Sequence, residues 1–224
     1  MPTRKTPLVT NEIYHIFNRG INRQPTFAKK KEYLRALSTV NYYRFHNLPL
    51  SLSKFLVKTQ KEQESILNKL LSGEKDIEVV SFCLMPNHLH LIVKQLKEKG
   101  ISKFMSNIQN SYTKYFNKKN ERDGPLFLGQ YKAVHIETDE QLIHVSRYIH
   151  LNPYTSWIEK NLNNLENYPW SSLKEYLYPK VSKISNPEII LKLFKNKPDL
   201  YKKFVYDQAS YQRKLKAIKH LIFE

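Results

Sequence analysis

The sequence predicts an α+β domain, because short apolar strands and amphipathic helices alternate along it. Four β-branched, aromatic segments have strand character: residues 13–17, 77–84, 88–95 and 131–137. Helical periodicity appears between the first and second of these segments, and again between the third and fourth. The order β-α-β-β-α-β is that of the split βαβ, ferredoxin-like arrangement, a four-stranded antiparallel sheet with two helices packed on one face. In that arrangement the first and third strands lie in the middle of the sheet.

The two helices inside this order differ in the strength of their sequence signals. The first is predicted from Thr26 to about Tyr43, after a strand that ends in polar residues and glycine. Residues 45–76 then separate it from the second strand. They are interpreted as an insertion that is irregular at first and contains a short polar helix at residues 60–71. The other helix begins at Gly100 and is strongly amphipathic.

A further helix is predicted directly after the fourth strand. Thr138 begins a capping-box pattern, and apolar residues then repeat at helical spacing through Ile149. Proline disfavours helical geometry in the residue before it. Pro153 therefore predicts that this helix ends at about Asn152.

The composition changes after this proline. Residues 168–172 are typical of a docked aromatic turn, and residues 186–223 are rich in lysine with two short amphipathic patterns. The chain is therefore divided into three parts: a flexible basic arm at residues 1–11, a domain at residues 12–175 that contains the insertion, and a basic helical appendage at residues 176–224.

The overall charge points to a polyanionic partner. The 224 residues include 37 Lys and Arg against 20 Asp and Glu, a net charge of +17, and 15 tyrosines are distributed among the basic segments. Such a charge favours nucleic acid or an anionic membrane surface. No apolar run approaches the length of a membrane span, which favours nucleic acid. The single cysteine, Cys83, excludes an intrachain disulfide and fits a reducing, cytoplasmic location.

Two histidines open the third strand. Side chains on a strand alternate between its faces, so His88 and His90 share one face while Leu89 and Leu91 share the other. Two adjacent imidazoles could bind a divalent metal. The pattern is short and common, however, and taken alone it is more often a pair of core or surface histidines.

The last predicted helix carries a second candidate pair. Tyr148 and Asn152 are four residues apart and lie on one helical face, where a tyrosine nucleophile would adjoin an amide-oxygen ligand. The alternative is a packed tyrosine and an asparagine at a helix end. His144 lies one turn before Tyr148 and either handles its proton or is a surface histidine. Tyr112 and Tyr115, in the preceding helix, are predicted to be core residues rather than nucleophiles.

These motifs, in this order, resemble a known family. Seven short segments are similar to motifs of the single-tyrosine transposases, which are HUH endonucleases. These segments are residues 14–20, 22–23, 86–90, 126–127, 131–133, 147–153 and 168–172. The subgroup of REP-associated tyrosine transposases matches most closely. The resemblance covers residues 12–173. The sequence departs from many relatives at Gln130, where they have arginine, and at residues 154–157. Both departures put DNA contacts in doubt more than the catalytic chemistry.

The resemblance implies a ferredoxin-like fold and cleavage of single-stranded DNA. It implies that His88 and His90 hold a metal, with Asn152 as the third ligand. It also implies that Tyr148 forms a covalent 5′-phosphotyrosine and releases a 3′-OH. Two imidazoles, an amide oxygen and water suit Mg²⁺ or Mn²⁺. Arg19, Arg23 and Lys132 are separately predicted to contact the DNA backbone, although each could be ordinary surface charge. The expected partner is single-stranded or hairpin DNA, with no membrane and no small-molecule cofactor, bound by a monomer or a homodimer.

Two other functional classes remain open at this point. A ferredoxin-like nucleic-acid binder would use aromatic residues on its central strands, as RNA-recognition domains do. The two histidines occupy such a face and argue against that class. A catalytically inactive descendant would bind palindromic repeats without cutting them. Loss of a covalent adduct in Tyr148→Phe, with DNA binding retained, would distinguish the enzyme from both.

Overall fold

The computed structural model describes residues 7–178, 180–181 and 184–222. In this part of the chain four strands form one sheet: β1 (Ile13–Arg19), β2 (Ile77–Met85), β3 (His88–Gln95) and β4 (Lys132–Ile136). Every pairing is antiparallel and the order is β2-β3-β1-β4. The predicted α+β class with a four-stranded antiparallel sheet is confirmed, and the first and third strands lie in its middle.

The helices follow the predicted order and extend through the appendage. They are α1 (Lys30–Tyr43), α2 (Leu52–Leu56), α3 (Gln60–Leu71), α4 (Gly100–Lys119), α5 (Asp139–Thr155), α6 (Leu173–Leu177), α7 (Glu188–Leu191), α8 (Pro198–Tyr206) and α9 (Ala209–Ile222). Short 3₁₀ turns occupy Ile21–Arg23, Leu162–Asn167 and Lys192–Phe194. Among the described helices, none combines the length and the apolar character that a membrane crossing requires. Residues 1–6 of the predicted basic arm lie outside the described residues.

The alternation along β3 divides the core into two clusters. Leu89, Leu91 and Val93 pack on one face of the sheet, in a cluster that includes residues of α1 and α4. Ile92 points to the opposite face, where it packs with residues of α5 and of the C-terminal helices. The histidines of β3 share the parity of Ile92. They therefore lie on the α5 side of the sheet.

Helix α1 begins at Lys30, four residues later than predicted. The backbone N–H groups of Thr26 and Phe27 both donate to the Pro86 carbonyl, at 2.7 and 2.9 Å. These bonds hold the segment before the helix against the β2–β3 turn. The Glu32 carboxylate accepts from the backbone N–H groups of Ala28 and Lys29 and so closes the start of the helix.

Helix α5 passes through Pro153 and ends at Thr155, so the predicted end at Asn152 is wrong. Proline fits helical φ but lacks the N–H that would bond to the carbonyl one turn earlier. Tertiary contacts hold the last turn in place. The Arg213 guanidinium donates to the carbonyls of Tyr154, at 2.9 Å, and Glu159, at 2.8 Å, and stacks over the Tyr154 ring.

The insertion contains the predicted helix, α3, and one helix that the sequence did not predict, α2. Ser51 caps α2 through its side chain, which accepts from the Lys54 backbone. Phe55 of this helix packs against Tyr42 of α1, with ring centroids 5.0 Å apart. This packing explains why five residues with weak sequence signals are helical.

The outer edge of β2 is covered by the aromatic turn that follows α5. The Leu84 N–H donates to the Trp170 carbonyl at 2.8 Å, and the Ser172 N–H donates to the Phe82 carbonyl at 3.0 Å. The Trp170 ring stacks on Tyr33 of α1, with centroids 4.5 Å apart. The turn is therefore docked on the sheet, as predicted.

His150 ties α5 to the C-terminal helices. It is fully buried, with Nδ1 2.6 Å from the Tyr201 hydroxyl and Nε2 2.8 Å from the Ser172 hydroxyl. Burial lowers its pKa to about 3, so the ring is neutral. Tyr201 belongs to α8. The α8 helix therefore belongs to the same packed core as α5.

Candidate active site

The β2–β3 turn positions the two histidines of β3. Its backbone is fixed by the bonds to the Pro86 carbonyl described above and by the Gly20 N–H, which donates to the Asn87 carbonyl at 2.8 Å. The rings of His88 and His90 lie with their centroids 5.0 Å apart and nearly perpendicular, at 89°. The predicted juxtaposition of the two imidazoles is thus present in the structure.

Both rings have a hydrogen-bond partner at Nδ1, and for His88 that partner fixes the tautomer. The Asn87 amide oxygen lies 2.6 Å from Nδ1 of His88, and an amide oxygen can only accept. His88 therefore carries its proton on Nδ1, and its Nε2 has the lone pair that a metal requires. Nδ1 of His90 lies 3.0 Å from Nε2 of His15, a residue of β1.

Tyr148 projects from α5 toward this pair. Its ring meets His90 edge-on, with centroids 5.4 Å apart at 87°, and lies 6.2 Å from the His15 ring. The side chain is 44% exposed, so a ligand can reach it. Desolvation of its buried part raises the pKa of the phenol, and a hydrogen bond with Asn152 offsets only part of that effect. Nucleophilic use of this hydroxyl therefore requires a nearby positive charge.

Asn152 lies one turn beyond Tyr148 and is fully buried. Besides its hydrogen bond with Tyr148, its amide oxygen accepts from the Ser156 hydroxyl at 3.3 Å. Tyr148 and Asn152 therefore share one helical face, as predicted. The Asn152 amide contacts the Tyr148 phenol, which in turn contacts the His90 ring. No group of three or more His, Cys, Asp or Glu side chains within the described ranges is arranged to hold a metal. A metal at this position would depend on an amide as its third protein ligand.

A cavity of about 310 Å³ opens beside the two histidines. Arg19 and Lys132, two of the three predicted DNA contacts, line it together with His88 and His90. Gln130, the residue singled out from the sequence, lines it as well. Asn18 and Arg19 shape its wall, because the Asn18 amide donates to the Leu128 carbonyl and the Arg19 carbonyl accepts from the Leu128 N–H. Two cations therefore border the cavity beside the imidazole pair.

Arg23 is placed differently from the other two cations. Its backbone carbonyl accepts from the Asn87 side-chain amide at 3.1 Å, and its φ of 56° is in the left-handed region. Its side chain is exposed and is not part of the cavity lining. Arg23 thus contributes to the turn through its backbone.

A second recess, about 330 Å³ in volume, lies between α5 and α9 and also borders Tyr148. His144 lines it, but the Arg147 guanidinium donates to its Nδ1 at 2.7 Å, and its Nε2 lies 4.0 Å from the Glu140 carboxylate. Both ring nitrogens therefore have other neighbours on α5. Tyr112 is fully buried, as predicted, and its hydroxyl donates to the Thr26 carbonyl.

Sequence reasoning missed His15 as a residue of this site. A signal was present, because Ile13, His15 and Phe17 alternate on β1, so one face of that strand carries a histidine and an aromatic ring. What the sequence lacked was the β1–β3 register, which pairs Phe17 with His90. Without that register, the contact between two histidines from distant segments cannot be inferred.

Comparisons with known proteins identify a family and a similar fold. Residues 9–152 match the model of the family described as transposase IS200 like. Among solved structures, the fold is similar to that of a REP-associated tyrosine transposase bound to a REP hairpin, with a TM-score of 0.53 and 15% sequence identity. That match covers 83% of this chain and 91% of the other. No curated protein sequence matches the chain significantly.

Proposed function

Because the chain belongs to the IS200-like transposase family, a family of DNA-processing enzymes, we propose that it is a metal-dependent endonuclease and strand transferase of single-stranded DNA. One observation carries the proposal. Tyr148 lies edge-on against His90, within the same cluster as His88 and Asn152. This arrangement supports cleavage of a phosphodiester by tyrosine, because it places a nucleophile next to side chains that can bind a divalent cation.

The residues present fit a divalent cation. His88 presents Nε2, because Asn87 engages its Nδ1, and the Asn152 amide supplies an oxygen donor. We propose that His88, His90 and Asn152 hold Mg²⁺ or Mn²⁺, which suit imidazole, amide oxygen and water. When bound, the ion would polarise the scissile phosphate and help neutralise charge in the transition state. Three neutral ligands would leave it its full positive charge.

Tyr148 is the proposed nucleophile. Its phenolate oxygen attacks phosphorus and forms a bond to the 5′ side of the break, while the bond to the 3′ oxygen breaks and that oxygen leaves as a 3′-OH after taking up a proton. The phosphotyrosine retains the energy of the broken bond. A 3′-OH can therefore attack it and restore a phosphodiester without ATP.

Arg19 and Lys132 are proposed to contact the DNA backbone, because both line the cavity beside the histidines. Arg23 is retained as a weaker candidate at the adjacent turn. Hairpin or palindromic DNA is the proposed partner, on the strength of the structurally similar transposase that was solved with a hairpin. The catalytically inactive, DNA-binding descendant is the alternative that the following experiment excludes or supports.

The test uses 5′- and 3′-labelled single-stranded hairpin oligonucleotides, incubated with the full chain and with Mg²⁺, Mn²⁺ or EDTA. We expect an adduct that survives SDS, requires the metal, and is lost in Tyr148→Phe and His88→Ala. Tyr178→Phe is a matched control, since Tyr178 is 42% exposed, close to the value for Tyr148. An adduct that persists in Tyr148→Phe would refute the nucleophile assignment. Tight binding without any adduct would favour the inactive descendant.

A further inference from the structure

We infer that His15 is a positioning residue of the candidate site, which holds His90 in the tautomer that presents its Nε2 lone pair to a divalent cation. The inference rests on the proposed function, because it concerns the same imidazole pair. It adds a residue outside the predicted ligand set. It also assigns that residue a role that can be measured separately from DNA cleavage.

The sheet register places His15 against His90. In the β1–β3 pairing, His15 is opposite Ile92 and Phe17 is opposite His90, so the two histidines are diagonal neighbours on one face. Their rings are stacked, with centroids 5.2 Å apart and planes at 23°. Nε2 of His15 lies 3.0 Å from Nδ1 of His90, a normal hydrogen-bond distance.

A hydrogen bond between two neutral imidazoles can be made in two ways. Each ring has one N–H donor and one acceptor nitrogen. Either His15 donates from Nε2 and His90 then carries its own proton on Nε2, or His90 donates from Nδ1 and keeps a lone pair on Nε2. Only the second arrangement is compatible with a metal on Nε2 of His90. His15 selects this arrangement when its own proton is on Nδ1, because its Nε2 can then accept from Nδ1 of His90.

Asn87 performs the same task for the other histidine. Its amide oxygen accepts from Nδ1 of His88. With His15 as the inferred acceptor for Nδ1 of His90, each of the two imidazoles is oriented through Nδ1 by a neutral group. A neutral acceptor fixes the ring without adding negative charge near the ion. Partners of this kind typically contribute 10–100-fold to metal affinity.

The surroundings make His15 difficult to replace by solvent. His90 is only 6% exposed, and the Tyr148 ring lies edge-on to both histidines. Removal of the acceptor at His15 would leave Nδ1 of His90 without this partner in a nearly dry position. The ring could then turn or change tautomer, and either change would withdraw the Nε2 lone pair.

The experiment measures two quantities in the full-length protein. Long-range ¹H–¹⁵N NMR spectra of the metal-free protein report the tautomer of His90, and EPR titration with Mn²⁺ reports the Kd. The variants are His15→Phe, which keeps a ring but has no acceptor, and His15→Gln, which offers an amide oxygen. His135→Phe is the control, since His135 is paired with Tyr14 on the opposite face of the sheet and bonds to Glu12.

We expect wild-type His90 to carry its proton on Nδ1. In His15→Phe, the Nε2–H form should become populated and the Kd for Mn²⁺ should rise at least about tenfold. His15→Gln should recover part of both properties, and His135→Phe should change neither. A purely structural role of His15 would not produce a tautomer shift that an amide reverses.

Two results would overturn the inference. One is a His90 proton on Nε2 in the wild-type protein, which needs no variant to observe. The other is an unchanged tautomer and an unchanged Kd in folded His15→Phe. Failure of the proposed metal site gives a different result, because the wild-type protein would then bind no Mn²⁺ while the His90 tautomer would still be readable. Failure of the proposed cleavage would appear only as the absence of a DNA adduct.

Discussion

Tyr148 combines two properties that oppose each other. It is 44% exposed, which suits attack on a large substrate, yet desolvation of its buried part raises the pKa of its hydroxyl. An ordinary phenol, with a pKa of about 10, is already a poor nucleophile at neutral pH. As the proposed nucleophile, Tyr148 would therefore need positive charge beside it. The proposed reaction therefore depends on Tyr148 together with the two imidazoles, the cation that they would bind and the flanking cationic side chains.

His150 predicts a pH dependence of stability. Its pKa is lowered to about 3 in the folded protein, whereas an exposed histidine has a pKa of about 6.5. As the pH falls below 6.5, the unfolded chain takes up a proton that the folded chain refuses. The free energy of unfolding should therefore decrease by up to about 1.4 kcal/mol per pH unit from this residue alone.

Urea denaturation of the wild type and of His150→Gln at pH 7, 6, 5 and 4 measures this contribution. The variant should be less stable at pH 7, because it loses the bonds to Tyr201 and Ser172. Its stability should also decline less steeply toward acid. Burial also lowers the pKa of His15, which therefore contributes to the pH dependence in the same range. The contribution of His150 is the difference between the stability–pH curves of the wild type and the variant. Parallel curves would contradict the assignment.

At the level of elements, Arg213 of α9 secures the end of α5. It donates to the carbonyls of Tyr154 and Glu159 and lies between the rings of Tyr154 and Trp157, 3.2 and 4.1 Å from their centroids. A cation at a helix C-terminus is also favoured by the helix dipole. Arg213→Ala should lower the free energy of unfolding by about 2 kcal/mol.

Chemical denaturation and limited proteolysis would both detect this loss, since α9 should detach more readily from α5. Lys214→Ala is the control, because Lys214 is the exposed neighbouring cation. Equal stability of the two variants would show that Arg213 contributes only general charge.

Gly20 allows the backbone beyond β1 to turn back toward the β2–β3 hairpin. A Cβ at this position would lie 2.6 Å from the Gln24 carbonyl oxygen and 2.8 Å from the Thr26 methyl group. Gly20→Ala should therefore lower the free energy of unfolding by about 1–3 kcal/mol. Thermal or urea denaturation would measure it. Gly129→Ala, where a Cβ would meet no atom within 4 Å, should change stability by less than about 0.5 kcal/mol. Similar effects of both substitutions would refute the steric explanation.

Local patterns predicted those elements whose signals lie within one segment. The alternation of β3 correctly placed its histidines and leucines on opposite faces, and helical spacing correctly paired Tyr148 with Asn152. The end of α5 was wrong because its last turn is stabilised by Arg213, from a distant segment. The His15–His90 contact was missed for the same reason, since it depends on strand register. Long-range contacts of this kind leave no periodicity in the sequence.

For the whole molecule, the net charge of +17 predicts salt-dependent DNA binding. Each cation that neutralises a phosphate should contribute about one unit to the slope of log K against log salt concentration. Arg19→Ala and Lys132→Ala should each reduce that slope by about one unit with a hairpin oligonucleotide. Fluorescence anisotropy at 50–200 mM salt would measure it. Lys61→Ala, on the exposed face of α3, should leave it unchanged. If all three variants had the same slope, net charge alone, rather than local phosphate contacts of Arg19 and Lys132, would account for the salt dependence.

The docking of residues 170–172 on β2 has a consequence for how copies of this chain could meet. An exposed sheet edge presents unpaired N–H and C=O groups that recruit strands from other molecules. Here the backbone groups of Phe82 and Leu84 are already bonded to the turn. Among the described strands, intermolecular strand addition is thereby directed to the β4 edge. That strand has only five residues and begins with an exposed lysine, Lys132, a side chain that discourages such pairing.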